Sequence, residues 1–329
     1  MLLFNTTKIL FSNTLVIGVT MVISSNNWFM MWCGMEITLM STIPMMADNS
    51  KLLSAESSFK YFIVQSTAST LFILSIIIML IGVNMMMYKT TIVMSMMMKT
   101  GIFPFHNWIL SMIEGLTTKM TILMLSLLKI PPLTVMSYTK MNLQLPMILS
   151  IIFSSIFILN QNSLKKIMTY SSILNTSMMI LSINMNKIWL SYFIIYSTII
   201  TLMMFLMSKI NITFMNQMIM NQFNMKTKMT MWISFLSLGG FPPLLGFYPK
   251  MMILEMLINN KMIILTMIVI ISSLIMMFNY SRIVFTSILM NVNSQKYLIS
   301  KTNQKDYMMF LIWFINLSSL AVSLIMKNF

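Results

Sequence analysis

Residues 229–258 read MTMWISFLSLGGFPPLLGFYPKMMILEMLI, an apolar run interrupted by Gly239, Gly240, Pro242 and Pro243. A helix of about 20 apolar residues crosses a hydrocarbon layer of ~30 Å, so this run is longer than one crossing needs and is broken near its middle. Proline lacks an amide hydrogen and clashes with the preceding turn, so the helix stops and restarts, releasing backbone carbonyls at membrane depth. Such a release is tolerated only where protein buries it or a polar cavity borders it. A second run, YKTTIVMSMMMKTGIFPFHNWILSMI at 88–113, is broken in the same way by Gly101 and Pro104. Broken helices at corresponding positions of two halves point to a transport site.

Composition agrees with a membrane setting. The 329 residues are 58% hydrophobic and 8% charged, with a mean hydropathy of +0.85, whereas about a quarter of a soluble domain is charged. The 21 basic residues against 6 acidic ones raise the question of nucleic acid. That class is excluded by pattern, because Arg282 is the one arginine and most lysines stand singly between apolar runs. Cys33 is the one cysteine, and no GxGxxG follows a strand-like run, so neither a disulfide framework, a metal or iron-sulfur site nor a nucleotide fold is supported. No cofactor or metal is expected on this chain. The first 25 residues carry Lys8 and then an apolar stretch without an Arg-rich presequence pattern, and read as the first membrane helix. The 46 methionines, with abundant Ile, Asn and Lys, suit an AT-rich organelle gene read with extra Met codons.

Eleven apolar stretches follow, at 9–25, 28–47, 61–82, 88–113, 116–137, 145–160, 167–184, 189–208, 229–258, 262–281 and 307–326. The breaks fall in the fourth and ninth, five helices apart. The expected fold is therefore an all-α integral membrane protein of about eleven transmembrane helices. A single membrane domain (1–329) would hold two five-helix repeats (1–137 and 145–281), inverted because five is odd, and a final helix (307–326). The N-terminus and the even-numbered loops carry twelve lysines, among them Lys8, Lys165, Lys166, Lys209, Lys226, Lys228, Lys296, Lys301 and Lys305, against five on the other face, including Lys327. The positive-inside rule then puts the N-terminus in the matrix or cytoplasm and the C-terminus on the opposite side.

Three lysines remain, Lys99, Lys129 and Lys250, and with Glu36 they lie well inside apolar stretches. Each such group costs about 2.5 to 3.5 kcal/mol on insertion scales. Lys99 and Lys250 flank the two breaks. A buried amine is a proton carrier of adjustable affinity, since desolvation favours its neutral form and a nearby carboxylate its charged form. Glu36 is the mid-helix carboxylate available as that switch. Blander readings stand beside these: Lys99 or Lys250 snorkelling to an interface, Glu36 as a structural counter-ion, His106 as a helix cap or carbonyl partner and not a relay, and the Met and Phe stripes as packing.

The strings KTGIFPFHNW, LNQNSLKKIMTYSSI and SLGGFPPLLGFYPK, together with WCGMEITLMSTIPMM and KYFIVQSTAS, occur in an order and spacing that resemble the chain 2 family of NADH-ubiquinone oxidoreductase, the antiporter-like membrane subunits of mitochondrial complex I. The match spans residues 24–255, and the eleven-helix length resembles the shortened animal form. The resemblance implies that Glu36 is the channel glutamate, Lys99 its partner lysine, Lys129 the central relay lysine and Lys250 the exit lysine. It also implies that FMN, iron-sulfur clusters and ubiquinone are held by partner subunits, with other membrane-arm subunits and lipid as neighbours, in the mitochondrial inner membrane. One departure stands out: many members carry a histidine where this chain has Asn175, which does not titrate near neutral pH, so water or a polar neighbour such as Ser171 must substitute. The expected function is proton translocation coupled to NADH oxidation by ubiquinone. A cation/proton antiporter subunit outside a redox complex and a structural spacer of the membrane arm are the alternatives.

Overall fold

The computed structural model describes residues 6–47, 51–82, 84–141, 143–220, 225–291 and 306–318. Every extended element among them is a helix, and one antiparallel bridge joins Ser163 to Phe214. In lipid each peptide group must be satisfied within its own segment, which makes the helix the economical solution for apolar runs of this length. Five helical spans, Thr6–Ser24, Leu52–Ile81, Thr118–Thr139, Lys187–Ile210 and Ile263–Leu289, are long and apolar enough to cross a membrane.

The chain divides into two compact units, Met1–Ser150 and Ile151–Phe329. The first holds α1 (Thr6–Ser24), α2 (Trp28–Met46), α3 (Leu52–Ile81), α4 (Met85–Thr100), α5 (Asn107–Ile113), α6 (Thr118–Leu125) and α7 (Ile130–Thr139). The unit boundary falls within α8 (Gln144–Phe157). The second unit continues with α9 (Leu164–Leu181), α10 (Asn186–Ile210), a short α11 (Met215–Met220), α12 (Met225–Gly239), α13 (Phe247–Asn259), α14 (Ile263–Asn291) and α15 (Asp306–Leu317).

Helix α3 shows why these helices pack as they do. Its buried stripe is Ser54, Ser57, Tyr61, Gln65, Ala68, Ser69, Phe72 and Ser75, while Phe59, Phe62, Ile63, Leu74 and Ile77 are exposed. Small and polar residues turn inward and large apolar ones outward, the polarity expected when the outer solvent is hydrocarbon. The inward hydroxyls are satisfied within their own helix: in α2, Thr38 donates to Met35 O, Ser41 to Thr38 O and Thr42 to Leu39 O. Glycines also allow α1 and α2 to approach closely. A Cβ on Gly18 would lie 2.9 Å from Gly34 O, and one on Gly34 would lie 2.9 Å from Gly18 O.

Three boundaries differ from those expected. Helix α3 begins at Leu52, ahead of residue 61, and α14 continues to Asn291, beyond 281; Ser54, Ser57 and Lys60 in the one and Arg282 in the other lower the apolar density without interrupting the helix. The stretch at 116–137, expected as a single helix, is itself broken between α6 and α7. Of the expected final helix, Asp306–Leu317 is helical, while 319–329 and Lys296, Lys301, Lys305 and Lys327 lie outside the described residues.

Candidate functional site

The first break forms because Gly101 ends α4 in the left-handed conformation (φ 66°). Its amide donates to Met97 O at 2.9 Å and that of Ile102 to the same oxygen at 3.2 Å. A side chain there would also displace Ile109, since a Cβ would lie 2.0 Å from Ile109 Cδ1. The carbonyls released by the break are met by side chains: Trp108 Nε1 donates to Met98 O at 3.1 Å and Gln65 Nε2 to Lys99 O at 3.3 Å. A helix end deep in apolar surroundings is thus kept without orphaned acceptors at these positions.

The unexpected break lies one helix further on. The run KIPP at 129–132 removes two amide donors in succession, so α6 ends at Leu125 and a 3-10 turn, Leu127–Lys129, precedes α7. Ser126 covers the interruption, its Oγ donating to Ile122 O at 2.7 Å. Lys129, 3% exposed, stands at the seam between the turn and α7. Two adjacent prolines were the available signal for this break, and apolar length alone concealed it.

These two breaks face one cavity of about 30 Å³ in the first unit, lined by Lys99, Lys129, Tyr61, Gln65, Thr38 and Trp108 among others. Lys99 and Lys129, thirty residues apart, are brought to the same polar space. Glu36 sits on α2 beside the lining residue Met35, and its charge acts on both Lys99 and Tyr61. It forms no ion pair with Lys99: the ammonium donates instead to Met35 Sδ at 3.6 Å, and Glu36 Oε1 is buried without a hydrogen bond among the described residues. A buried carboxylate oxygen left unmet is costly. Tyr61 is held by a hydrogen bond with the Thr42 side chain and by the Trp108 ring, 6.1 Å away between centroids.

The second unit contains the other expected break. Gly240 (φ 80°) ends α12, and the amides of Gly240 and Phe241 both donate to Leu236 O. The returning turn approaches so closely that a Cβ on Gly246 would lie 1.7 Å from Ser237 O. Lys250, 8% exposed, turns back toward the break and donates to Gly239 O at 2.6 Å. It therefore does not snorkel outward. Pro104 is exposed at the first break, and the Pro242 and Pro243 pair forms the connecting turn of the second. Lys250 lines a cavity of about 20 Å³ with Asn175, Tyr192, Tyr196 and Ser237.

Two secondary candidates lie apart from these cavities. His106 precedes the first turn of α5 without a side-chain hydrogen bond to it, and stacks on Phe103, with ring centroids 5.6 Å apart. Ser171 donates to Met168 O within α9 and faces Tyr280. Asn175 does reach the Lys250 cavity, and its partner is Tyr192, whose hydroxyl donates to Asn175 Oδ1 at 2.7 Å. Tyr192 was not among the expected site residues, and an aromatic in an apolar helix carries no sequence signal of such a bond. Lys228, assigned to a loop, instead lies in the first turns of α12, 9% exposed and lining a separate small cavity of about 10 Å³ with Trp232 and Ser287. Its four-carbon stem makes that burial tolerable near a helix end.

Comparison with known proteins bears on this arrangement. The family model described as NADH:quinone oxidoreductase/Mrp antiporter, TM, matches residues 25–84 and 79–276. The chain is 38% identical over 308 residues to NADH-ubiquinone oxidoreductase chain 2 of Locusta migratoria, covering 90% of each. Its fold is similar to a chain of respiratory complex I from Thermus thermophilus with bound aureothin (TM-score 0.84, 16% identity, 97% of this chain and 78% of that one). It is also similar to a chain of the Mrp complex from Dietzia sp. (TM-score 0.80, 10% identity, 96% and 75%).

Proposed function

Because the chain belongs to the NADH:quinone oxidoreductase/Mrp antiporter transmembrane family, we propose that it is a proton-translocating membrane-arm subunit of a respiratory NADH:ubiquinone oxidoreductase. The observation that carries this reading is the convergence of Lys99 and Lys129, from two separate helix breaks, on one cavity within reach of the Glu36 charge. Glu36 and Lys99 are the switching pair of the first unit, and Lys129 is the amine that takes up and releases the proton. Lys250 is the corresponding carrier of the second unit, held at the carbonyl of its own break. The transferred species is a proton moving between amine, ammonium and water, so the chain needs no redox group of its own. FMN, iron-sulfur clusters and ubiquinone belong to partner subunits in this reading.

The same reading has the chain cross the mitochondrial inner membrane eleven times, as two five-helix repeats and a final helix, with the N-terminus on the matrix side. The apolar outward face of α3 supports its contact with lipid.

Isolation of the native particle under mild detergent tests the assignment. NADH oxidation by quinone and iron-sulfur absorbance are expected to co-migrate with the chain. A small particle with neither would support instead an antiporter outside a redox complex.

A further inference from the structure

The Lys250 cavity holds a polar pair that the proposed mechanism does not use. Tyr192 on α10 and Asn175 on α9 are 3% and 5% exposed and are joined side chain to side chain at 2.7 Å. A phenol has one proton to donate, and here it is committed to Asn175 Oδ1, so the oxygen of Tyr192 faces its remaining surroundings as an acceptor only. Lys250 has three ammonium donors, of which one reaches Gly239 O. The rest need acceptors on the wall of the cavity, where a buried charged donor left unmet is expensive. Among the described lining residues there is no carboxylate. The titratable and charged groups about the cavity are Lys250 on α13, Tyr192 and Tyr196 on α10, and Tyr280 on α14, which acts electrostatically on Tyr196. Neutral acceptors therefore decide how well the ammonium is held.

Resting on the assignment of Lys250 as a proton carrier, we infer that Tyr192 is a positioning residue for it, offering a second acceptor station to the ammonium, directly or through one water, in addition to the carbonyl of Gly239. The other lining hydroxyls do not meet this requirement equally: that of Tyr196 is buried with no hydrogen bond among the described residues to fix it. Ser237 spends its proton within its own helix, on Ser234 O, and lacks an inter-helix bond that fixes the hydroxyl. The Asn175 bond fixes the Tyr192 hydroxyl before the proton arrives, so no reorganisation is needed at the moment of transfer. Room for the first station depends on Gly240, where a Cβ would lie 2.6 Å from Lys250 Nζ. The side chain thus has one station against the break, and the pocket that it lines is shared with Tyr192 and Tyr196 of α10.

The test measures proton pumping against pH, normalised to NADH oxidation, in the intact respiratory particle reconstituted in vesicles. Tyr192→Phe keeps the ring and removes the acceptor; the alkaline limb of the profile is expected to move to lower pH by about one unit, a tenfold loss of proton affinity. Asn175→Leu releases the Tyr192 proton and is expected to shift the limb in the same direction by less, and the double variant to match Tyr192→Phe alone. Losses of packing would instead add. An unmoved profile in Tyr192→Phe, or additive losses in the double variant, overturns the inference. Should Tyr192→Phe not assemble, an unmoved profile in Asn175→Leu overturns it. Lys250→Ala separates the two levels: if it reduces pumping while Tyr192→Phe does nothing, only the role of Tyr192 falls, and if Lys250→Ala pumps at the full rate, the assignment of Lys250 falls and this inference with it.

Discussion

At the scale of single residues, the functional groups are distinguished by what they hold and not by charge alone. Gln65 is neutral, yet it bonds the carbonyl of Lys99 and so supports the end of α4. Gln65→Leu leaves that acceptor unmet, and the assembled particle is expected to lose about 1 to 3 kcal/mol of stability, read as a lower thermal transition. The exposed pair Lys60 and Glu56, 2.6 Å apart at i,i+4, is the contrasting case. Such surface pairs contribute about 0.3 to 0.5 kcal/mol, so Glu56→Gln is expected to leave both stability and pumping within error. Glu36, Lys99, Lys129 and Lys250 are legible in the sequence because a charge in an apolar run is conspicuous. Tyr192 and its bond to Asn175 are not, since nothing in the order of residues states which two helices will face each other. The burial of Lys228 was missed for a related reason: a lysine at the edge of an apolar run reads equally as loop or as first turn.

At the scale of helices, glycine and proline pairs carried most of the architecture. GGFPP and GIFP marked two breaks directly, whereas IPP at 130–132 was overlooked because the apolar count around it fits one complete crossing. The consequence is larger than a boundary error, because the overlooked break is the one that sets Lys129 at a seam beside the Lys99 cavity. The tightest constraint is in the second unit. With Ser237 O at 1.7 Å from where its Cβ would be, Gly246 admits no side chain without moving the turn. Gly246→Ala is expected to cost about 1 to 3 kcal/mol, as overpacking does, and to lower the amount of assembled particle in native gels. Accumulation at the normal level with an unchanged thermal transition would show that the turn yields more easily than its geometry indicates.

At the scale of the whole molecule, each of the two compact units contains a broken helix, a buried lysine and a polar cavity. The units are not equivalent chemically. The first gathers two lysines with Glu36 acting on the cavity, and the second sets one lysine among tyrosines and an asparagine. The proposed exchange of charge between a carboxylate and two amines belongs to the first unit, so the account stands or falls on Lys129. The most direct measurement is the number of protons translocated per NADH oxidised by reconstituted particles carrying Lys129→Ala. The account predicts a clear fall in that number with the particle intact. An unchanged number, with assembly verified, would contradict a relay through Lys129 and leave the chain a structural component of the membrane arm.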